Sequence, residues 1–199
     1  MAELTYNIIS VANLRDWIGF PATGPTAREV AALEAIANGV TDATEKYLGR
    51  PVVGRTRTEY LDGSGGRELA LQYSPVVSIT TLQSLTGHDA TVYETFVAGD
   101  YLLDSEVGRV MLWSKGFPTG RKNIKVVYIP GWTLATVPAN IVLGLRLWGL
   151  QLFKAWNGGA AQEEIVSQSL DGQTTVFRVD VMPKKVEGIL KPYRQIVMV

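Results

Sequence analysis

The side chains that could do chemistry are few. The 199-residue chain has no cysteine and one histidine, His88. That excludes a thiol nucleophile, a disulfide framework, Cys-based zinc or iron–sulfur sites, and any multi-histidine metal site. His88 sits in Thr86-Gly87-His88-Asp89 between two strand-like runs. A catalytic histidine needs a nucleophile and an orienting acid in space, and adjacency to Asp89 supplies neither, so it reads as a loop residue. The cluster Asp62-Gly63-Ser64-Gly65-Gly66 lacks the lysine of a phosphate loop. It is followed by a strand where a dinucleotide loop opens a helix, and it has Asp62 where a nucleophile elbow has glycine, so it reads as a hairpin turn. The carboxylate pairs Glu59/Asp62, Asp104/Glu106 and Glu163/Glu164 fall in no motif and read as solvated surface. Tryptophans 17, 113, 132, 148 and 156 could form a saccharide platform, but three lie on apolar helical patterns, which favours core or subunit packing. The expectation is a protein with no catalytic residue, no metal and no cofactor.

Charge adds a second exclusion. There are 19 basic and 19 acidic side chains, so the net charge is zero, against a general nucleic-acid binder. The zero hides a split. Residues 1–100 carry 7 basic and 12 acidic groups, and residues 101–199 carry 12 and 7. From 107 to 162 there is no acid, while Arg109, Lys115, Arg121, Lys122, Lys125, Arg146 and Lys154 are all present. Ordinary surface charge, or a basic face turned to an acidic partner or DNA phosphates, are alternative readings; the favoured one is head-to-tail self-association, the basic half of one copy meeting the acidic half of the next. Met1-Ala2-Glu3-Leu4 shows no basic start to a signal peptide.

The elements that must position these residues change period along the chain. Ser10 caps a short helix over 10–19. Thr26 and Glu29 form a capping box ahead of Val30, Leu33, Ala37, Val40, Thr44 and Tyr47, which recur at helical spacing until Gly49 and Pro51 stop the helix. Short β-like runs follow near 55–61, 68–71, 76–82, 92–96, 101–103, 109–113 and 123–129, as expected for a compact antiparallel sheet or small barrel. Pro138 then opens a nearly continuous apolar helix to Trp156. It is shorter than the ~20 apolar residues of a membrane span and is interrupted by Arg146, Gln151 and Lys154, so it is expected to be buried in protein. The tail alternates like a strand over 174–181 and has a short helix over 184–190. The fold expected is α+β. A small helical bundle (10–19, 26–48, 138–156) carries an inserted antiparallel β-module at about 52–130 and an extended C-terminal strand–helix arm. The divisions are 1–51, 52–130, 131–170 and 171–199.

The order of these pieces resembles the head–tail connector (adaptor, or head-completion) proteins of tailed bacteriophages and gene-transfer particles. The resemblance rests on Glu45-Lys46-Tyr47-Leu48-Gly49-Arg50-Pro51, Thr58–Gly63 with Leu69-Ala70-Leu71 and Ser74–Ile79, and Asp100–Asp104 with Gly108-Arg109-Val110. Its most specific parts are Asn123–Trp132 with Val137–Ile141, a strand, a Gly-aromatic turn and a Pro-started helix, and the ending Leu190-Lys191-Pro192-Tyr193-Arg194. Many members of that family are shorter and mostly helical, so the β-rich middle is an expansion. The resemblance implies a non-enzymatic virion protein, made in the host cytoplasm and placed in the neck. It implies a closed ring, usually of twelve copies, docked under the portal protein, extending the channel through which double-stranded DNA passes. The ring would offer a surface to the stopper or tail. A C-terminal arm would reach the portal or a neighbouring subunit, which singles out Phe177, Arg178, Lys184, Lys185, Tyr193 and Arg194. Arg146, Trp148, Lys154 and Trp156 are the subunit-interface candidates. The alternatives are a tail-terminator or tail-completion protein and, from another class, a saccharide-binding β-module or small hydrolase.

Overall fold

The computed structural model describes residues 5–21, 24–86, 91–157 and 182–195. The chain divides into two compact units: one made of residues 1–49 and 138–199, the other of residues 50–137. Their composition is mixed α and β, in the expected class.

The first unit is helical. Helix α1 (Val11–Ile18) starts where the Ser10 hydroxyl accepts from the Asn13 amide and stops at Gly19. Helix α2 (Ala27–Leu48) carries the full capping box: Thr26 Oγ1 accepts from the Glu29 amide, and Glu29 Oε2 accepts from the Thr26 amide at 2.7 Å. These bonds, the backbone one first, hold the Glu29 carboxyl below its ordinary pKa. Helix α3 (Ala139–Trp156) packs on both. Its approach to α1 is close: a Cβ on Gly149 would lie 2.8 Å from Leu14 Cδ2. The core between them contains Ile9, Leu14, Leu33, Ala37, Ile141 and Leu145. Helix α4 (Lys184–Leu190) lies against α3, burying Val186 and Leu190 over Gly144. A 3-10 turn at Lys191–Tyr193 follows it. No helix among the described residues is long and apolar enough to cross a membrane.

The second unit contains seven strands among its described residues: β1 (Arg57–Gly63), β2 (Glu68–Ala70), β3 (Val76–Thr86), β4 (Thr91–Thr95), β5 (Tyr101–Asp104), β6 (Arg109–Leu112) and β7 (Gly120–Pro130). They form two antiparallel sheets, where the sequence suggests a single sheet or a barrel. The order is β1-β7-β3-β4 in one and β2-β6-β5 in the other. Long β7 is central, pairing Leu61 with Ile124 on one side and Leu82 with Val126 on the other. Its alternate residues Ile124, Val126 and Tyr128 enter a core shared with Leu69, Val110 and Leu112 of the smaller sheet. Phe96 and Phe117 close that core edge-to-face, 5.7 Å between centroids. One-sided burial of alternating side chains is what selects this register, since a one-residue slip would turn the apolar set to water.

Candidate interaction surfaces

Three features could meet partners. The first is the seam that carried the most specific sequence resemblance. Gly131 has φ +95°, and a Cβ there would sit 2.6 Å from the Val52 carbonyl oxygen. Only glycine allows that approach, which lets the Gly131 amide donate to the Pro75 carbonyl and the Trp132 amide to Val52. The Arg50 guanidinium stacks 4.7 Å over the Trp132 ring and donates to the Ser74 carbonyl at 2.7 Å. Desolvation lowers its pKa. The Gly-aromatic turn is therefore a clasp within the β unit, with its charge engaged.

The second is a polar network under the same sheets. Glu59 is buried and accepts from the Tyr128 hydroxyl at 2.5 Å and the Gln72 amide at 3.2 Å, with Arg57 Nε at 3.5 Å. The Arg57 guanidinium lies 4.4 Å over the Tyr73 ring. Burial first, and then the bond to Glu59, push the Tyr128 phenol well above its ordinary pKa. A carboxylate so fully occupied on protein groups has a bracing role, tying β1 and β7 to the 72–73 turn. The pair Glu59/Asp62 is thereby split, because Asp62 accepts from the Lys122 amide of β7; residues 62–66 are a crossover and not the expected hairpin turn, since β1 and β2 lie in different sheets.

The third is an apolar groove of 1040 Å³ between α2 and α3. Ala35, Gly39 and Ala43 line one wall, and Trp148, Leu152 and Trp156 the other. Trp148 forms its floor at 4% exposure, whereas Trp156 stands at the rim at 40%, with the Arg28 guanidinium 5.3 Å over its ring. Met182, just ahead of α4, also lines it. Small residues on α2 leave room along much of this wall, which Ile36, Lys46 and Tyr47 of the same helix also line.

The named candidates distribute unevenly. Of the subunit-interface set, Trp148 and Trp156 share the groove and Lys154 is exposed. Arg146 lies 5.6 Å over the Trp17 ring and 3.4 Å from Asn13 Oδ1. Trp17 itself is half-exposed and Trp113 more so. Of the arm set, Phe177 and Arg178 lie outside the described residues, as do the strand expected over 174–181, His88 and Glu163/Glu164. Lys184 and Lys185 are exposed on α4. Arg194 stacks on Tyr47 at 5.5 Å, and the Gln195 amide donates to the Leu48 carbonyl at the end of α2. Residues 182–195 are thus folded onto the helical unit. The acid-free span is also partly neutralised by folding: Arg109 pairs with Glu68 at 3.2 Å, and Lys115 with Glu94. Among the described residues no group of three or more His, Cys, Asp or Glu could hold a metal ion.

The family model for head completion proteins matches residues 7–196, nearly the whole chain. The chain belongs to the head completion protein family. Solved structures extend the likeness to the whole fold. A chain in the neck of an empty GTA particle, computed with C6 symmetry, superposes with TM-score 0.64 at 16% identity. A chain of the virion of a native gene transfer agent particle gives 0.63 at 17%. One from the neck of the native GTA particle, computed with C12 symmetry, gives 0.58 at 15%. Each likeness covers 100% of this chain and 95% of the other. No curated protein matches the chain significantly in sequence. The β-rich middle falls within the family match, so the head completion fold here includes both compact units.

Among the surfaces, the groove is the one that residue-by-residue reading missed. Its signal was present as Ala32, Ala35, Gly39 and Ala43, a second stripe at helical spacing beside the large apolar one.

Proposed function

We propose that this chain is a structural, non-enzymatic connector adaptor of the head–tail junction, forming a closed ring under the portal and passing double-stranded DNA through its centre. The family match over residues 7–196 carries this reading. Neck chains that share the fold from particles treated with C6 and C12 symmetry support a ring, with twelve copies as the favoured number. On this reading the helical unit packs against neighbouring copies through the surroundings of Arg146, Trp148, Lys154 and Trp156. The β unit, with its own closed core, offers its outer strands to the stopper or tail. The C-terminal residues Phe177, Arg178, Lys184, Lys185 and Tyr193 reach the portal or a neighbouring subunit, while Arg194, stacked on Tyr47, roots them on α2.

Mixing the purified chain with the portal of its own particle and imaging by electron microscopy tests this. The expected result is a second ring stacked on the portal, lost when Phe177, Arg178, Lys184 and Lys185 are together replaced by alanine. A chain that stays monomeric and never joins the portal overturns the reading.

A further inference from the structure

The groove between α2 and α3 states the chemistry of what fits it. Its walls are small or aromatic and its floor is the buried Trp148. The charged side chain that lines it is Lys46, and Arg28 stands over Trp156 at its rim. The acids of α2 are placed elsewhere. Glu29 is bonded in the capping box and Glu45 is buried. Glu34 and Asp42 lie about 80° or more round the helix from the groove-lining Ala32, Gly39 and Ala43. An occupant that suits this groove is therefore apolar and carries acids. The α3 surface of a second copy carries Arg146 and Lys154 and no acid, the wrong sign for such a rim.

We infer that the groove seats residues 162–170 of the same chain. Residues 158–181 lie outside the described residues, but the points where the described chain ends and resumes are both at the groove: Trp156 stands at its rim and Met182 lines it. The dimensions agree. The wall runs along α2 from Ala32 to Tyr47, about 22 Å of helix, and nine residues in helical form need about 13 Å. The four residues Gly158-Gly159-Ala160-Ala161 span about 13 Å at full extension, enough to turn the chain back. The sequence agrees. Ile165, Val166 and Leu170 fall within about 140° on a helical wheel, and Glu163 and Glu164 supply the acids that Lys46 and Arg28 call for. A segment tethered at both ends of its site acts at an effective concentration in the millimolar range, which favours it over a free partner of equal affinity. The consequence for function rests on the connector reading. Residues 171–181, with Phe177 and Arg178, become a portal-facing loop anchored at both roots, by 162–170 in the groove and by α4 on α3. A loop of that length returning to its root reaches about 18 Å at most.

Cysteine pairs in the full, cysteine-free chain test the seat. Gly39→Cys puts a thiol in the groove, where nothing lies within 4 Å of the new Cβ. Val166→Cys puts its partner on the apolar side of 162–170, and Gln168→Cys on the far side. Under mild oxidation the 39/166 pair is expected to close an intramolecular disulfide about tenfold faster than the 39/168 pair, or more. Equal rates would mean that the tether alone brings the thiols together, and they overturn the seat. Disulfide-linked dimers formed in preference to the closed monomer assign the groove to a second copy and overturn it as well. A second measurement needs no cysteine. Ile165→Asp with Val166→Asp should leave helical circular dichroism unchanged and raise the fluorescence of bound anilinonaphthalene sulfonate several-fold over wild type, because the groove is uncovered. No rise overturns the seat. The closed 39/166 disulfide is then taken to the portal, where a ring that still stacks supports the anchored loop. A locked chain that fails to stack where its reduced form succeeds overturns the anchor and leaves the connector reading standing. A wild type that forms no ring and binds no portal overturns the connector reading, and the disulfide rates decide the seat without it.

Discussion

The two units solve the burial problem differently. The β unit draws one core from two sheets: both turn alternate side chains inward and Phe96 and Phe117 seal it, while Tyr60, Trp113 and Leu134 stay exposed outside that core. The described residues of the helical unit leave an apolar groove floored by Trp148, with Trp156 at its rim. A helix apolar nearly all round is normally enclosed on all sides. The β unit's exposed apolar side chains are spread over strands and loops from Tyr60 to Leu134, whereas the helical unit, among the described residues, gathers apolar side chains around one groove. The contrast teaches where to look for a contact of definite shape, in the groove between α2 and α3.

The sharpest way to break this contrast is to truncate one aromatic from each unit. Phe117→Ala removes a side chain 1% exposed in the β core and is expected to cost about 3–5 kcal/mol in urea unfolding. Trp156→Ala, at the groove rim, is expected to cost the monomer about 1 kcal/mol or less while weakening self-association. Equal losses of monomer stability would show that the groove is part of a closed core.

Next in size is the bracing network. Tyr128→Phe leaves the Glu59 carboxylate without its shortest partner and the Tyr73 amide without an acceptor, a loss of about 1–3 kcal/mol. It also has a pH signature. The phenol is raised in the folded state, so it contributes stability fully below the ordinary tyrosine pKa of about 10. That contribution declines as pH rises beyond this point, because the unfolded chain ionises first. Wild-type unfolding midpoints should fall above about pH 10, and the variant's should fall less. Parallel alkaline limbs would remove Tyr128 from the explanation.

The helices were legible in the sequence because their determinants are local. Ser10, the Thr26/Glu29 box and Gly49 each act within a turn of the residue they serve. The strands were legible as strands for the same reason, but not their partition into two sheets. β1 pairs with β7 some sixty residues away, and a period of two announces an element without naming its partner. The charge split misled in the same way. Residues 107–162 hold no acid, yet pairing β2 with β6 brings Glu68 to Arg109. What remains uncompensated by such pairs is narrower than the sequence implied. Lys154, on α3, is its clearest representative. Raising salt should therefore weaken ring assembly only modestly. Assembly abolished by moderate salt would reverse that expectation.

The smallest expected effect lies at the start of α2, the helix that forms one groove wall. Glu29 is partly exposed, and its carboxyl is held below the ordinary value by the Thr26 amide and then the Thr26 hydroxyl. Its contribution is present above the unfolded carboxyl pKa and is lost as pH falls through the depressed folded value. Glu29→Gln keeps an acceptor in the capping box but removes the charge that favours a helix N-terminus. The variant should melt slightly below wild type at neutral pH and converge with it under acid. Helical circular dichroism followed against pH resolves this, and an offset that persists at acid pH would mean the substitution disturbs packing.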